Sequence, residues 1–215
     1  GDTLAQGVYR AAVRIGEMKG KDLLPYVVHE KGMAIGGHGI RSEKDFISTF
    51  IGYACSTQGG DHGSQAHFSP TGGGGELSSI LHDSGVYCTF AKSVDNVKVF
   101  EFYTAITGWE QTAETWYSKK ALRILQLQRV MLLLGGPDVT WKPKIDDDNP
   151  PRFWEPMPSG PYEGKKLDRK VFEKIRSDYY SSVGWDENGI PTPETLLALG
   201  LDDVNSKLNM AGFRN

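Results

Sequence analysis

The chain is poor in sulfur, in long apolar runs and in charge of one sign. Only two of its 215 residues are cysteines, Cys55 and Cys88. Two are too few for a disulfide framework and fit a reducing, cytoplasmic setting. Nor can two thiolates hold an iron–sulfur cluster alone, since such clusters take four. The longest purely apolar run, Val130–Leu134, has five residues, where a membrane span needs about 20. Net charge is only −3, and no basic stripe offers a nucleic-acid footprint. No charged-then-apolar leader opens the chain. The missing methionine at Gly1-Asp2-Thr3 raises the expectation of a processed chain or a piece of a longer one. Histidine spacing lacks HExxH, so His29, His38, His67 and His82 suggest no histidine–metal site. The run Gly72 to Gly75 is followed by neither Lys-Ser nor Lys-Thr, which excludes a phosphate loop. Internal repeats are absent.

What is present is ordinary globular composition, 39% hydrophobic and 24% charged, in a chain long enough to build its own core. Helical periodicity dominates. It predicts helices over about 2–17 with Asp2 as cap, 42–53, 76–83, 97–105, 111–134 and 168–182, and a short one opening at Thr192-Pro193 and closing at Gly200. In 168–182, Asp168 caps and Val171, Phe172, Ile175 and Tyr179 turn inward. Tyr26 to His29 offers a short extended piece, and Asp186 to Gly189 a tight reversal. Glycine-rich connections fill 19–41 and 56–75. Residues 137–164, rich in proline and acid, read as an extended surface segment, with Asp146-Asp147-Asp148 a solvated acidic patch. Trp109, Trp116, Trp154 and Trp185 read as core and seam packing. The expected architecture is all-α: one mostly helical domain over 1–215 with long glycine-rich loops.

Two constellations could carry chemistry. Gly59-Gly60-Asp61-His62 puts an imidazole on a permissive loop, able to approach a ligand and exchange protons near neutrality. A solvated loop histidine is the competing reading. Asp83-Ser84-Gly85-Val86-Tyr87-Cys88 puts a thiol beside a glycine turn whose N–H groups suit a metal-bound sulfur. A buried, inert cysteine is the competing reading there. Cys55 reads as core.

Taken in order, several segments resemble one family. Gly1-Asp2-Thr3-Leu4-Ala5-Gln6-Gly7-Val8 is similar to the GDLLAEGV segment opening the last third of aldehyde ferredoxin oxidoreductases. Tyr53-Ala54-Cys55-Ser56-Thr57-Gln58-Gly59-Gly60-Asp61-His62 resembles their YATSxRGxxH, and Asp83 to Cys88 their DxxGLC. Ile106-Thr107-Gly108-Trp109 resembles their VTGW. Pro150 to Phe153, Glu155-Pro156 and Gly160-Pro161 resemble the stretch before their final helices, and Gly184 to Thr192 their C-terminal signature. The chain departs from the pattern at Gln58, where arginine is common. It also puts Val86 where the family has glycine, shortens the loop between His62 and Cys88, and replaces the usual segment at Val130 to Gly136.

The resemblance implies the C-terminal domain of a larger enzyme that oxidises aldehydes to carboxylic acids and passes electrons to ferredoxin. It implies a tungsten or molybdenum bis-pterin and a 4Fe-4S cluster, both shared with upstream domains that supply a CxxCxxxC motif. By the same resemblance Cys88 is the fourth cluster ligand. Asp83, with Tyr87 near it and with Gly60 and Asp61, addresses the pterin. His62 stands at the substrate side as proton donor or orienting group. Homo-oligomers are compatible with all of this. Two alternatives accompany it: a related branch reducing aromatic acyl-thioesters, and a cofactor-free interaction module. Loops shaped for a large cofactor are costly to order without it, which predicts mobility over 56–75.

Overall fold

The computed structural model describes residues 1–36, 51–66, 75–88, 90–91, 95–135 and 141–213. The predicted helix over 42–53 lies outside these residues except for its last three positions, as do His38, His67 and most of the glycine run at 72–75. The described structure is mostly helical, with one two-stranded hairpin, as the periodicity predicts. It divides into two compact units, one of Gly1–His67 with Lys142–Tyr179, the other of Phe68–Trp141 with Tyr180–Asn215.

The first unit opens with helices Asp2–Ala5 and Val8–Lys19 rather than one continuous helix. Gly7, at φ +87°, separates them, and Asp2 lies inside the first instead of capping it. After a 3₁₀ turn at Leu24–Tyr26 come strands β1 (His29–Glu30) and β2 (Met33–Ala34), paired antiparallel with Glu30 opposite Met33. The two connecting residues, Lys31 and Gly32, both have positive φ, the requirement of the tight hairpin turn whose twist matches its strands.

Lys31 reaches inward from this turn. Its ammonium donates to the Ala54 carbonyl and pairs with Asp147 Oδ1 at 3.0 Å, with the two side chains 3% and 1% exposed. Asp147 therefore lies in the interior, and the acidic triplet is not a solvated patch. Residues 142–154 are not extended either. They carry short helices Pro143–Asp146 and Pro151–Trp154 and bury Asn149. The first turns of helix Arg169–Ser182 hold this segment: Arg169 pairs with Asp148 at 2.7 Å and lies over the Trp154 ring, and Arg176 donates to the Asp147 carbonyl. Asp168 caps that helix, accepting from the Lys170 and Val171 amides. Phe172 and Tyr179 are buried as predicted, whereas Val171 is half exposed.

In the second unit, helices Gly75–Gly85 and Asn96–Thr107 precede a long helical stretch. That stretch runs Ala113–Thr115, Trp116–Ala121 and Leu122–Leu134, with the middle six residues in π geometry. A helical pattern reports the face a residue occupies and not a local change of pitch, so the π segment has no sequence signal. Trp116 and Trp185 are core; Trp109 is exposed. Pro193–Ala198 is capped by Thr192, as expected. A further helix, Asp202–Met210, follows Gly200 and was not predicted. Its two acids in the first turn, and Val204 and Leu208 at i, i+4, are the signal that would have found it. Val204 and Leu208 pack with Val130, Leu133, Ile190, Leu196 and Leu201.

Polar groups inside this unit are matched closely. Gln126, fully buried, accepts from Trp185 Nε1 at 2.8 Å and donates to the Val183 carbonyl at 2.8 Å. Arg129 donates to the Gly189 carbonyl and stacks over Trp185. Gln126→Leu takes the Gln126 hydrogen bond away from the Trp185 indole N–H and from the Val183 carbonyl at once. A buried group left without a partner costs about 1–3 kcal/mol, so this variant should lose about 2–5 kcal/mol in urea unfolding. In the first unit, burial pushes the Glu30 carboxyl well above its ordinary value of 4.5, with Lys31 opposing and Asp147, Asp148 and Asp146 reinforcing. An acid whose folded pKa is raised binds more protons folded than unfolded. Stability is therefore lost as pH climbs above about 4.5 toward the folded value. Glu30→Gln should accordingly match the parent protein below pH 4.5 and exceed its melting temperature increasingly toward neutrality.

Candidate functional site

The first candidate group sits on a chain reversal in the first unit. Helix Gly52–Cys55 is buried throughout, and Cys55 is core, as predicted. From there the chain turns through 56–66. The Ala66 amide returns to the Gly52 carbonyl at 2.8 Å, the Ser56 hydroxyl donates to the Ser64 carbonyl, and Asp61 Oδ1 accepts from the Gly63 amide at 2.9 Å. Ser56, Thr57, Gly59, Gly60, Ser64 and Ala66 are buried, so this half of the predicted mobile loop is packed. The remainder, 67–74, lies outside the described residues.

The hairpin lies on Gly59-Gly60. A Cβ on Gly60 would meet the Ala34 carbonyl oxygen at 2.7 Å and that of Met33 at 2.8 Å. A side chain there would push the hairpin away, so glycine is demanded by backbone approach and not by looseness. The same contact fixes the start of the turn that carries His62.

His62 is exposed, but it is not merely a solvated side chain. Its Nδ1 lies 3.2 Å from the Tyr53 hydroxyl and 3.3 Å from Gln65 Nε2. An amide nitrogen can only donate, so Nδ1 accepts and the ring proton rests on Nε2. Tyr53 is fully buried and therefore holds the ring from a rigid base. Neither Tyr53 nor Gln65 was singled out from the sequence as a partner of His62. Tyr53 stood in the same resembling segment, and no spacing rule links a helix residue to a loop residue nine positions on.

The second group belongs to the other unit, at the end of helix Gly75–Gly85. Ile80 and Leu81 anchor the helix inward. Asp83 is exposed and accepts from Ser79 Oγ at 3.4 Å. The chain then doubles back, with the Val86 amide donating to the Asp83 carbonyl and the Tyr87 amide to that of His82. Tyr87 stacks on His82 with ring centroids 4.5 Å apart. A Cβ on Gly85 would strike the Tyr87 ring at 2.8 Å. Burial lowers the His82 pKa, against Asp83, and raises that of Tyr87, with help from Tyr117. The Tyr87 hydroxyl has no hydrogen-bond partner among the described residues.

Two features follow from this turn. Val86 has φ +54° with its side chain 90% exposed, a costly conformation for a β-branched residue with no burial to offset it. Cys88 is exposed, in contrast to Cys55, so it is not the buried thiol of the competing reading. Gly60, Asp61 and His62 thus form one group and Asp83, Tyr87 and Cys88 another. Among the described residues no three histidine, cysteine or acidic side chains converge to hold a metal on their own, and no helix is long and apolar enough to cross a membrane. A single exposed thiol suits one corner of a cluster whose other ligands come from elsewhere, and the exposed Asp83 carboxylate suits a polar heterocycle that donates N–H bonds.

Residues 1–201 match the family described as "Aldehyde ferredoxin oxidoreductase, domains 2 & 3". The chain belongs to this family, and with it to the tungsten-pterin oxidoreductases. It is 48% identical over 208 residues to a Pyrococcus furiosus protein, "Aliphatic sulfonate oxidoreductase, WOR-like subunit", covering 97% of this chain and 33% of that protein. The chain thus spans about a third of the length of this relative.

The departure noted at Val86 falls on the left-handed residue of the turn. A left-handed conformation costs a non-glycine residue about 1–2 kcal/mol. Glycine would relieve it while adding about 0.5–1 kcal/mol of unfolded-state entropy. Val86→Gly should therefore raise stability slightly, by about 0.5–1 kcal/mol in thermal or urea unfolding. A loss of stability would show that the valine side chain has a partner.

Proposed function

We propose that residues 1–215 act as one C-terminal cofactor- and cluster-binding region of a larger enzyme that oxidises an aldehyde and water to a carboxylic acid, releasing two electrons and two protons. The electron acceptor would be ferredoxin, a 4Fe-4S cluster would supply one-electron transfer, and upstream domains of the same enzyme would complete both cofactor sites. The observation that carries the reading is an exposed Cys88 on a turn of family spacing, in a chain whose other cysteine is sealed in the core.

A tungsten or molybdenum bis-pterin, when bound, supplies the two-electron chemistry. Each residue of this chain has a narrower task. Cys88 would hold one iron of the cluster as thiolate. Asp83 would accept N–H bonds from the pterin, with Tyr87 near it in the chain. Gly60 and Asp61 present backbone on the packed turn. His62 stands at the substrate side as proton donor or orienting group, presenting Nε2–H while Tyr53 and Gln65 hold the ring at Nδ1.

A second reading rests on the Pyrococcus furiosus relative, whose name assigns it to aliphatic sulfonates and to an assembly with at least one further subunit. A sulfonated substrate differs from a simple aldehyde by a permanent negative charge. Comparative kcat/KM of the full-length protein on aliphatic aldehydes, aliphatic sulfonates and an aromatic acyl-thioester distinguishes these two readings and the reductive branch.

Three variants test the assignments in the full-length protein. Cys88→Ala should lower cluster iron and abolish reduction of ferredoxin, whereas Cys55→Ala should leave iron content unchanged. His62→Asn keeps the Nδ1 geometry approximately but removes the titrating ring. It should lower kcat by about 10²–10⁴-fold with tungsten and iron unchanged. Retention of full turnover would take His62 out of proton transfer.

A further inference from the structure

The turn that ends helix Gly75–Gly85 closes through two backbone bonds. The Tyr87 amide donates to the His82 carbonyl at 3.2 Å, and the Val86 amide to the Asp83 carbonyl at 3.3 Å. This is the pair by which a helix stops through one left-handed residue, a position that usually belongs to glycine. Here the residue is Val86, at φ +54° and 90% exposed. A β-branched side chain resists that backbone, and an exposed one gains no burial by accepting it. The turn is therefore held closed by something other than its left-handed residue.

The support comes from the residues that the longer bond joins. The Tyr87 ring stacks on His82 with centroids 4.5 Å apart and planes 30° apart. The same ring lies over Gly85, where a Cβ would come within 2.8 Å and 3.0 Å of its atoms. The Tyr87 hydroxyl is buried, within electrostatic reach of Tyr117. Tyr87 is thus fixed on one face by His82, at its edge by Gly85 and at its tip by burial. A stacked aromatic pair contributes attraction of the same order as the cost of a left-handed non-glycine residue.

Resting on the reading of Cys88 as a cluster ligand, we infer that His82 is a positioning residue for that thiolate. Its ring clasps Tyr87, keeps the left-handed turn at Val86 closed, and so fixes the backbone from which Cys88 projects. Tyr87 directly precedes Cys88, and on the other side the Cys88 carbonyl accepts from the Ala91 amide at 2.9 Å. The same closure engages the Asp83 carbonyl, so the residues assigned to pterin and to cluster sit on one closed turn. His82 acts by stacking and not by proton transfer. Groups that orient a metal ligand in this way set how firmly the metal is held and the potential at which it works.

The test uses the full-length protein with its cluster and reads the cluster itself. The readouts are iron retained against a bathophenanthroline chelator, the EPR line shape of the reduced cluster and its midpoint potential. His82→Ala should weaken iron retention by about 10–100-fold, alter the line shape and shift the potential. His82→Phe keeps a ring to stack on Tyr87 and should restore all three. Adding Val86→Gly to His82→Ala should restore them too, because glycine takes the left-handed position without a clasp. A His82→Ala cluster indistinguishable from the parent's would overturn the inference while leaving Cys88 a ligand. So would His82→Phe as impaired as His82→Ala, or a double variant no better than His82→Ala. Unchanged iron in Cys88→Ala would overturn the cluster reading, and this inference with it.

Discussion

The first unit depends on one ammonium group taken out of water. Lys31 sits at a left-handed position of a two-residue turn, a conformation lysine does not favour. Its side chain runs inward to Asp147 and to the end of helix Gly52–Cys55. Three stretches distant in sequence, 29–34, 52–55 and 147–149, are thereby fixed to one another. A buried pair is a poor source of net stability, because desolvation offsets attraction, yet breaking one leaves a stranded charge. Its value here is specificity. The lysine joins hairpin, helix and acidic segment in one place, with the hairpin laid on Gly59-Gly60 at the start of the turn on which His62 stands.

In the second unit the same role falls to neutral and cationic side chains around Trp185. Gln126 and Arg129 lie on successive turns of one helix and engage the Val183 and Gly189 carbonyls on either side of the tryptophan. They tie the long helix to the tight reversal that the C-terminal signature encodes. Polar matching in the interior and apolar packing by Leu196, Leu201 and Leu208 act together, the first choosing the register and the second supplying the burial. The end of helix Gly75–Gly85 is less settled by comparison. It carries an exposed thiol, a phenol without a hydrogen-bond partner among the described residues and a valine in left-handed backbone, features that a stable scaffold avoids and a ligand-bearing turn tolerates.

Much of this was legible in the sequence, for identifiable reasons. Helix type and position follow from apolar spacing, so 76–83, 97–105, 111–134 and 168–182 match the structure to within a few residues. Caps at Asp168 and Thr192 are local and readable. The misreadings share a cause. Asp147 looked solvated because its neighbours are acids, and nothing local reveals that a lysine more than a hundred positions earlier enters beside it. The extended reading of 137–164 missed two short helices within 142–154, since these are held by Arg169 and Arg176 rather than by their own propensity. At the candidate site, His62 and Cys88 were found by resemblance, but their environments were not: Tyr53 behind His62 and the exposure of Cys88 are tertiary facts.

By itself the sequence determined what is local or periodic: a mostly helical chain, its principal helix boundaries, its glycine-bearing turns, and an ordered set of motifs sufficient to name the family. Tertiary structure alone decided which polar groups leave water and what meets them there. It buried Asp147 and Cys55, exposed Cys88 and oriented His62 through Tyr53. The physical reason is that periodicity and propensity act over a few residues, whereas burial and hydrogen-bond satisfaction depend on partners brought together by the whole fold.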